Sequence, residues 1–160
     1  MATGYIETSV PSYYVARPTD SLIQSARQQA TRQWWDDGCS GLDLVTSLET
    51  LDEAGRGDPE MAEARLELLD SIAVLPVTDI AVELAENLVK TQIVDDRYSS
   101  DAIHIAVCAA HAVDYLITWN FKHIANPFLR DRIRKEVDNL GLHMPVMCSP
   151  EEMLQTDADD

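Results

Sequence analysis

The fold is decided by residues 100–120, which read SDAIHIAVCAAHAVDYLITWN. From Asp101 to Val113 the pattern is helical and apolar on almost every side, which is typical of a deeply buried helix. Tyr115 to Thr118 then form an unbroken apolar run, as expected of a strand inside a parallel sheet. A buried helix that leads directly into a buried strand predicts an α/β fold.

The rest of the chain also alternates between strand and helix patterns. This alternation predicts a three-layer α/β/α fold, in which helices cover both faces of a central parallel sheet of four to five strands. The other predicted strands are Gly4 to Glu7, Leu42 to Thr46, Ala73 to Val77 and Pro145 to Cys148. Helices are predicted from an Asp20 cap to Asp37, from Ser47 to Ala54, after Asp58-Pro59, after Thr78, and from Asn126-Pro127 to Gly141. Residues 9–18 are predicted as a loop or short helix, and residues 95–99 as a polar loop.

Size and composition favour one globular domain. The chain has 160 residues, of which 46% are apolar, so it can bury a core and is not of the disordered class. We expect a domain at residues 1–154 and an acidic C-terminal tail at 155–160. No stretch approaches the ~20 apolar residues of a membrane span, and the first residues lack the pattern of a signal peptide. The three cysteines fit no zinc or disulfide pattern, so a cytoplasmic location is expected.

The formal charge of −16 argues against loose, non-specific binding to nucleic acid, because phosphate neutralisation supplies most of that affinity. Basic residues are nevertheless concentrated between Lys122 and Lys135. This stretch is either a local patch that contacts phosphates or an ordinary solvated helix face. The candidates for RNA contact within it are Lys122, His123, Arg130 and Arg134.

Four polar residues lie where strand or helix patterns begin or end, namely Glu7, Glu53, Asp101 and Asn120. In a parallel α/β fold such positions converge at the carboxyl edge of the sheet, where ligands bind. Oxygen ligands without thiols suit Mg²⁺ or Mn²⁺. From position alone, an exposed strand end is a slightly better interpretation of Glu7 than a ligand.

Two of these acids have equally simple structural explanations. Glu53 shares a helix with Glu49 and Asp52, and three such acids often form only a solvated face. Asp101 opens a helix and is stabilised there by the helix dipole. His104 follows one turn later on an apolar helix, so we interpret it as a hydrogen-bonded core histidine rather than as a ligand.

Taken in order and spacing, these segments are similar to the PIN-domain family, and within it to the VapC-like ribonuclease toxins of bacterial toxin–antitoxin pairs. The resemblance covers nearly the whole chain, although none of its segments is decisive alone. It is carried by Tyr5-Ile6-Glu7-Thr8-Ser9, Gln29 to Trp35, Glu53 with Gly57-Asp58-Pro59, Arg65-Leu66, Asp101-Ala102-Ile103-His104-Ile105-Ala106, Leu116 to Asn126, and Pro145 to Glu152.

The resemblance implies a metal-dependent endoribonuclease that hydrolyses RNA phosphodiester bonds. Its site would hold Mg²⁺ or Mn²⁺ on Glu7, Glu53 and Asp101, with Asn120 as an outer ligand. The family usually has Asp at the positions of Glu7 and Asn120, so this chain departs from the pattern twice. A longer Glu7 would shift the metal, and the neutral Asn120 would weaken a second one. The resemblance also implies an RNA substrate, a cognate antitoxin protein and a homodimer.

Two other functions stay open. A PIN-like domain that has weakened or lost catalysis, and acts as a nucleic-acid-binding or protein-assembly module, would account for Asn120 and for the charge of −16. A dinucleotide-binding enzyme is the weaker alternative, because the first strand leads into Thr8-Ser9-Val10-Pro11 without the glycines that such a site needs.

Overall fold

The computed structural model describes residues 1–154, and the predicted acidic tail at 155–160 lies outside them. It confirms an α/β fold with one parallel sheet of five strands. The strands are β1 (Ala2–Ile6), β2 (Leu42–Ser47), β3 (Ala73–Leu75), β4 (Tyr115–Ile117) and β5 (Val146–Cys148). The α-helices are α1 (Ser9–Val15), α2 (Leu22–Gln33), α3 (Leu48–Ala54), α4 (Pro59–Leu69), α5 (Asp79–Lys90), α6 (Ser99–Ala110), α7 (Arg130–Asn139) and α8 (Pro150–Leu154).

The strand order is β3-β2-β1-β4-β5, so the chain builds the sheet outward from β1 in two directions. β1 pairs in parallel with both β2 and β4, and Ile6 lies beside Ile117 in the second pairing. Loops that leave the carboxyl ends of β1 and β4 therefore run to opposite sides. In open α/β sheets, this reversal point opens the crevice in which ligands bind.

Each face of the sheet has its own core. Tyr5 and Leu116 point to one face, where they pack among the buried residues of α5, α6 and α7. Ile6 and Ile117 point to the other, where they join residues of α1, α3 and α4 around Trp34. Because neighbouring residues of a strand point to opposite faces, a sheet covered on both sides needs continuous apolar strands. The three-layer prediction is thus confirmed.

Several predicted boundaries are wrong by a few residues. The cap of α2 is Ser21, whose side chain accepts a hydrogen bond from the backbone N–H of Gln24, rather than Asp20. β3 ends at Leu75 instead of Val77, because Pro76 has no N–H to donate to a neighbouring strand. The polar loop predicted at 95–99 contains a short 3₁₀ helix at Asp96–Tyr98, which leads into α6.

The last long helix begins later than predicted. Asn126-Pro127 does not start it, because the Asn126 side chain accepts a hydrogen bond from the backbone N–H of Phe128 and holds a turn there. α7 begins at Arg130 and ends at Asn139. The segment predicted as a loop or short helix is the helix α1, whose first turn tolerates Pro11. A five-residue π-helix at Trp34–Gly38 extends α2. Among residues 1–154, no helix combines the length and apolar character that crossing a membrane requires.

Candidate metal centre

Glu7 follows β1 directly and lies at the reversal point of the sheet. Its carboxylate is only 5% exposed, so the interpretation as an exposed strand end is wrong. The Oε1 atom accepts hydrogen bonds from Ser9 Oγ and from Thr118 Oγ1, both at 2.5 Å. Thr118 follows β4, so the carboxylate is held between the ends of the two central strands. This fixes one acid in the crevice that the topology opens.

Glu53 reaches the same place from α3, the helix after β2. Its Oε1 atom accepts a hydrogen bond from Thr8 Oγ1 at 2.8 Å and lies 2.5 Å from Nε2 of His104. Of the three acids on this helix, Asp52 alone is exposed, whereas Glu49 bonds to the Ser100 hydroxyl of α6. The solvated-face interpretation therefore fits Asp52 and is wrong for Glu53.

His104 is completely buried in α6, and both of its ring nitrogens have partners. Nδ1 lies 2.7 Å from the hydroxyl of Tyr5, which also bonds to Ser47 Oγ at 2.6 Å. The prediction of a hydrogen-bonded core histidine is thus confirmed. The ring nevertheless also faces the acids, because ligand atoms of Glu7, Glu53 and His104 all lie within 4.8 Å of one another. Sequence reasoning left His104 out of the candidate ligands.

Asp101 lies in the first turn of α6 and is largely buried. Its Oδ2 atom is 3.0 Å from Nδ1 of His123, and the neighbouring Asn120 side chain acts to lower the pKa of this carboxyl. The amide oxygen of Asn120 accepts from the backbone N–H of His123 at 2.9 Å. Asp101, Asn120 and His123 therefore form a second polar group beside the first.

The pKa values show that the two groups share one electrostatic field. Burial, and then the charge of Glu7, raise the pKa of Asp101 above its usual value. Burial would raise the pKa of Glu53, but the hydrogen bond and charge of His104 outweigh it and lower that pKa. Burial would likewise lower the pKa of His104, yet the hydrogen bond to Glu53 and the charges of Glu7, Glu53 and Asp101 raise it. The negative charges of the acids thus favour the protonated form of the His104 imidazole.

The donor atoms in this crevice fit a divalent cation. Two carboxylates and an imidazole within 4.8 Å of one another form a mixed oxygen and nitrogen set, in which the carboxylates suit Mg²⁺ or Mn²⁺ and the imidazole binds a metal only in its neutral form. The carboxylate of Asp101 and the amide of Asn120 supply further oxygen donors beside Glu7, and oxygen donors suit both ions. We take Glu7, Glu53 and His104, with Asp101 one turn before His104 on α6, as a candidate site and call this set the metal centre, with Asn120 at its border.

The predicted RNA-contacting residues divide into two kinds. His123 belongs to the border of the metal centre, where it bonds to Asp101 and stacks on Tyr98 with ring centroids 4.1 Å apart. Lys122, Arg130 and Arg134 are exposed and make no ion pair or hydrogen bond to the acids within residues 1–154. They remain candidates for phosphate contact without structural evidence for that role.

The hydroxyl groups that orient the acids were missed. Thr8, Ser9 and Thr118 each donate to a carboxylate of the metal centre. All three come within three residues of a strand end, at the edge where the acids were expected. The sequence could have predicted them, because these serine and threonine residues lie at the same strand ends as the candidate ligands.

A scan against models of protein families finds no match for this chain, and searches of curated proteins and of solved structures find none either. None of these comparisons therefore shows which family the chain belongs to. The structure shows a parallel α/β fold whose reversal point brings ligand atoms of Glu7, Glu53 and His104, from three distant parts of the chain, within 4.8 Å of one another.

Proposed function

We propose that this protein is a metal-dependent endoribonuclease of the PIN-domain type, with the fold of that family and the role of a VapC-like toxin. One observation carries the proposal: Glu7 and Glu53, from distant parts of the chain, meet at the carboxyl edge of the sheet with ligand atoms within 4.8 Å of each other and of His104, and Asp101 lies in the first turn of the helix that carries His104. Acids gathered in a buried crevice repel one another, and a divalent cation offsets that repulsion. Two of the residues that the resemblance selected, Glu7 and Glu53, lie in this group, together with His104, which it did not select.

In this proposal the carboxylates of Glu7, Glu53 and Asp101 hold Mn²⁺ or Mg²⁺. Such an ion activates water for attack and stabilises the charge that builds on the phosphate. Ser9 and Thr118 donate to Glu7 and fix the direction of its carboxylate. Asn120 is the outer ligand, and its side chain also acts to lower the pKa of Asp101.

RNA reaches this acidic protein through a small number of contacts. His123, at the border of the metal centre, and the exposed Lys122, Arg130 and Arg134 are the proposed phosphate contacts. With a formal charge of −16, the surface as a whole repels phosphate, so binding depends on these local positions and on RNA shape. A cognate antitoxin protein and a homodimer are part of the same proposal and rest on the resemblance alone, whereas a cytoplasmic location rests on the three cysteines that fit no disulfide pattern.

The second candidate is a PIN-like domain that has weakened or lost catalysis and serves in nucleic-acid binding or protein assembly. Two observations favour it. Asn120 stands where the family usually has a fourth acid. His104 lies 2.5 Å from Glu53, so its imidazolium form can offset part of the negative charge that a metal would otherwise offset.

Metal binding and RNA cleavage distinguish the two candidates. We expect calorimetry to detect Mn²⁺ binding to the wild-type protein, and mixed-sequence single-stranded RNA labelled with a fluorophore and a quencher to be cleaved when Mn²⁺ is added. Glu53→Gln and Asp101→Asn keep side-chain size but remove charge, so both should abolish binding and cleavage. Asp52→Asn is the matched control, because Asp52 is exposed on the same helix as Glu53.

Three outcomes decide the question. Loss of both activities in the two variants, with Asp52→Asn unaffected, supports the ribonuclease. Cleavage that survives in both variants shows that the assigned site is wrong. RNA binding without Mn²⁺ binding or cleavage in the wild type supports the non-catalytic domain.

A further inference from the structure

An aromatic cluster lies beside the metal centre and has no role in the proposal so far. Trp119, in the segment after β4, makes edge contacts with Tyr13 of α1 and with Phe121. The ring centroids are 5.8 Å and 5.9 Å apart. Trp119 is almost completely buried, whereas Phe121 is 39% exposed. The cluster therefore has a fixed interior and an accessible ring.

Hydrogen bonds tie this cluster to Glu7. The backbone N–H of Trp119 donates to Ser9 Oγ at 2.8 Å, and the same hydroxyl donates to the Glu7 carboxylate at 2.5 Å. The indole N–H of Trp119 donates to Thr31 Oγ1 of α2 at 2.8 Å. One serine thus separates the aromatic cluster from an acid of the metal centre, and Trp119 is held at both ends.

Arg27 of α2 lies over all three rings. Its guanidinium carbon is 5.2 Å from the ring centroid of Phe121, 5.4 Å from that of Trp119 and 5.9 Å from that of Tyr13. One of its nitrogens donates to the Tyr13 hydroxyl at 3.2 Å. Aromatic faces attract a cation and hold its plane in place.

The charge of Arg27 is not neutralised by an acid. Within residues 1–154, no carboxylate lies within ion-pair distance of it, although the chain has 28 acidic and only 12 basic residues. Within residues 1–154 only Arg17 and Arg97 among the arginines are paired with a carboxylate, so what distinguishes Arg27 is its position over three aromatic rings. An arginine held by rings and left without an acid is suited to bind an anion from outside, and its planar fork matches phosphate.

A guanidinium that has no carboxylate partner, next to a partly exposed aromatic ring, fits a nucleotide of single-stranded RNA. Phosphate is recognised by arginine, and an unstacked base gains free energy by stacking on an aromatic ring. An acidic peptide would use the charge of Arg27 but would gain little from Phe121. A duplex keeps its bases stacked and cannot offer one to the ring.

We propose that Arg27 and Phe121, positioned by Tyr13 and Trp119, form a nucleotide subsite that binds a phosphate and stacks a base of single-stranded RNA beside the metal centre. The inference deepens the proposed function and rests on it. It assigns RNA contact to the α2 side of the crevice, whereas the candidates from the sequence lie at and after Lys122.

The test measures RNA binding in the absence of cleavage. Fluorescence anisotropy with a labelled single-stranded RNA, in EDTA and at several salt concentrations, gives the affinity and its salt dependence. A second RNA carries 2-aminopurine, whose fluorescence falls when the base stacks. The variants are Arg27→Met, which removes the charge, and Phe121→Ala, which removes the accessible ring. Arg32→Met is the matched control, because Arg32 lies on the same helix and over one ring, that of Tyr14.

We expect Arg27→Met and Phe121→Ala each to weaken RNA binding by about tenfold. Arg27→Met should also reduce the slope of log affinity against log salt by about 0.7, the value for one phosphate contact with a single strand. Phe121→Ala should abolish the 2-aminopurine quenching. A purely structural role of the cluster would change neither the salt slope nor the quenching.

The inference is overturned if Arg27→Met and Phe121→Ala both bind RNA, and quench the 2-aminopurine fluorescence, to the same extent as Arg32→Met. In that case the proposed function still stands, provided that the wild type cleaves RNA. If the wild type neither binds nor cleaves RNA, both fail together. Circular dichroism identifies a variant that does not fold. Should Arg27→Met be unfolded, the exposed Phe121 and its quenching signal decide the result alone.

Discussion

At the residue scale, the acids of the metal centre depend on small hydroxyl side chains. Thr118 is fully buried, donates to Glu7 and accepts from the backbone N–H of Asn120 at 2.9 Å. It thereby connects the first polar group of the crevice to the second. Groups that orient metal-binding side chains are worth about 10- to 100-fold in metal affinity in known sites.

We predict that Thr118→Val lowers the free energy of unfolding by about 1–3 kcal/mol, because valine has the same shape but removes one of the two hydroxyl donors to Glu7 and the acceptor of the Asn120 backbone N–H. Its affinity for Mn²⁺ should fall by about tenfold. Thr118→Ser keeps the hydroxyl and should retain most of the affinity. Urea denaturation and calorimetry measure the two effects. Equal Mn²⁺ affinity in the valine and serine variants would show that the hydroxyl does not position Glu7.

His104 shows what a local pattern can and cannot reveal about a residue. Its apolar neighbours on α6 correctly predicted burial and hydrogen bonding. They could not predict that the ring reaches Glu53, because that contact depends on how α3 and α6 cross at the sheet edge. The same holds for Glu7, because one of its two hydroxyl partners, Thr118, is 111 residues away in the sequence.

At the scale of elements, β1 and β4 are joined at their amino ends as well as at the crevice. The carboxylate of Asp114, just before β4, accepts from the backbone N–H of Thr3 at 2.9 Å and from its hydroxyl at 3.2 Å. The backbone N–H of Asp114 donates in return to Thr3 Oγ1. The hydrogen bond from the backbone N–H of Thr3, and to a smaller extent the one from its hydroxyl, lower the pKa of Asp114 below its usual value.

The hydrogen bonds between Thr3 and Asp114 predict that the free energy of unfolding depends on pH. Because folding lowers the pKa of Asp114, its contribution is fully present above the unfolded value of about 3.9 and is lost as the pH falls through the folded-state value. Asp114→Asn cannot titrate, so its stability should fall less steeply on acidification than that of the wild type. Urea midpoints measured between pH 6 and pH 3 test this.

Asp43→Asn, an exposed aspartate on β2, serves as the control and should follow the wild-type curve. If the urea midpoints of the wild type and of Asp114→Asn fell in parallel with pH, the hydrogen bonds between Thr3 and Asp114 would not contribute to stability in acid.

At the scale of the whole molecule, two hydrophobic cores lie on opposite faces of one sheet. Each contains a cysteine: Cys108 lies in the core under α5, α6 and α7, and Cys148 lies in the other. Burial raises the pKa of Cys148 to about 12 and that of Cys108 well above its usual value. Cys39 is partly exposed. Only the thiolate reacts readily with alkylating reagents.

We predict that iodoacetamide modifies only Cys39 in the folded protein. In urea, Cys108 and Cys148 should become reactive at the same concentration, because each is exposed only when the common sheet opens. Mass spectrometry of the labelled peptides measures both. If Cys148 reacted at a clearly lower urea concentration, β5 and its core would open separately from the rest.

Much of the fold could be read from the sequence, because strand and helix patterns depend on neighbouring residues. The unbroken apolar run of Tyr115 to Thr118 and the apolar helix before it gave the parallel sheet its buried centre. The errors occurred at Pro76 and Asn126, where one local hydrogen bond or its absence sets a boundary. Such boundaries are decided by single backbone groups, which periodicity does not resolve.

The sequence by itself determined which segments are strands and helices, and which acids stand at their ends. Only the tertiary structure decided that Glu7 is held between β1 and β4, that His104 faces the acids, and that Arg27 lies on Trp119 and Phe121 without an acid. These contacts join residues far apart in the chain. They therefore depend on strand order and helix crossing, which the pattern of neighbouring residues does not encode.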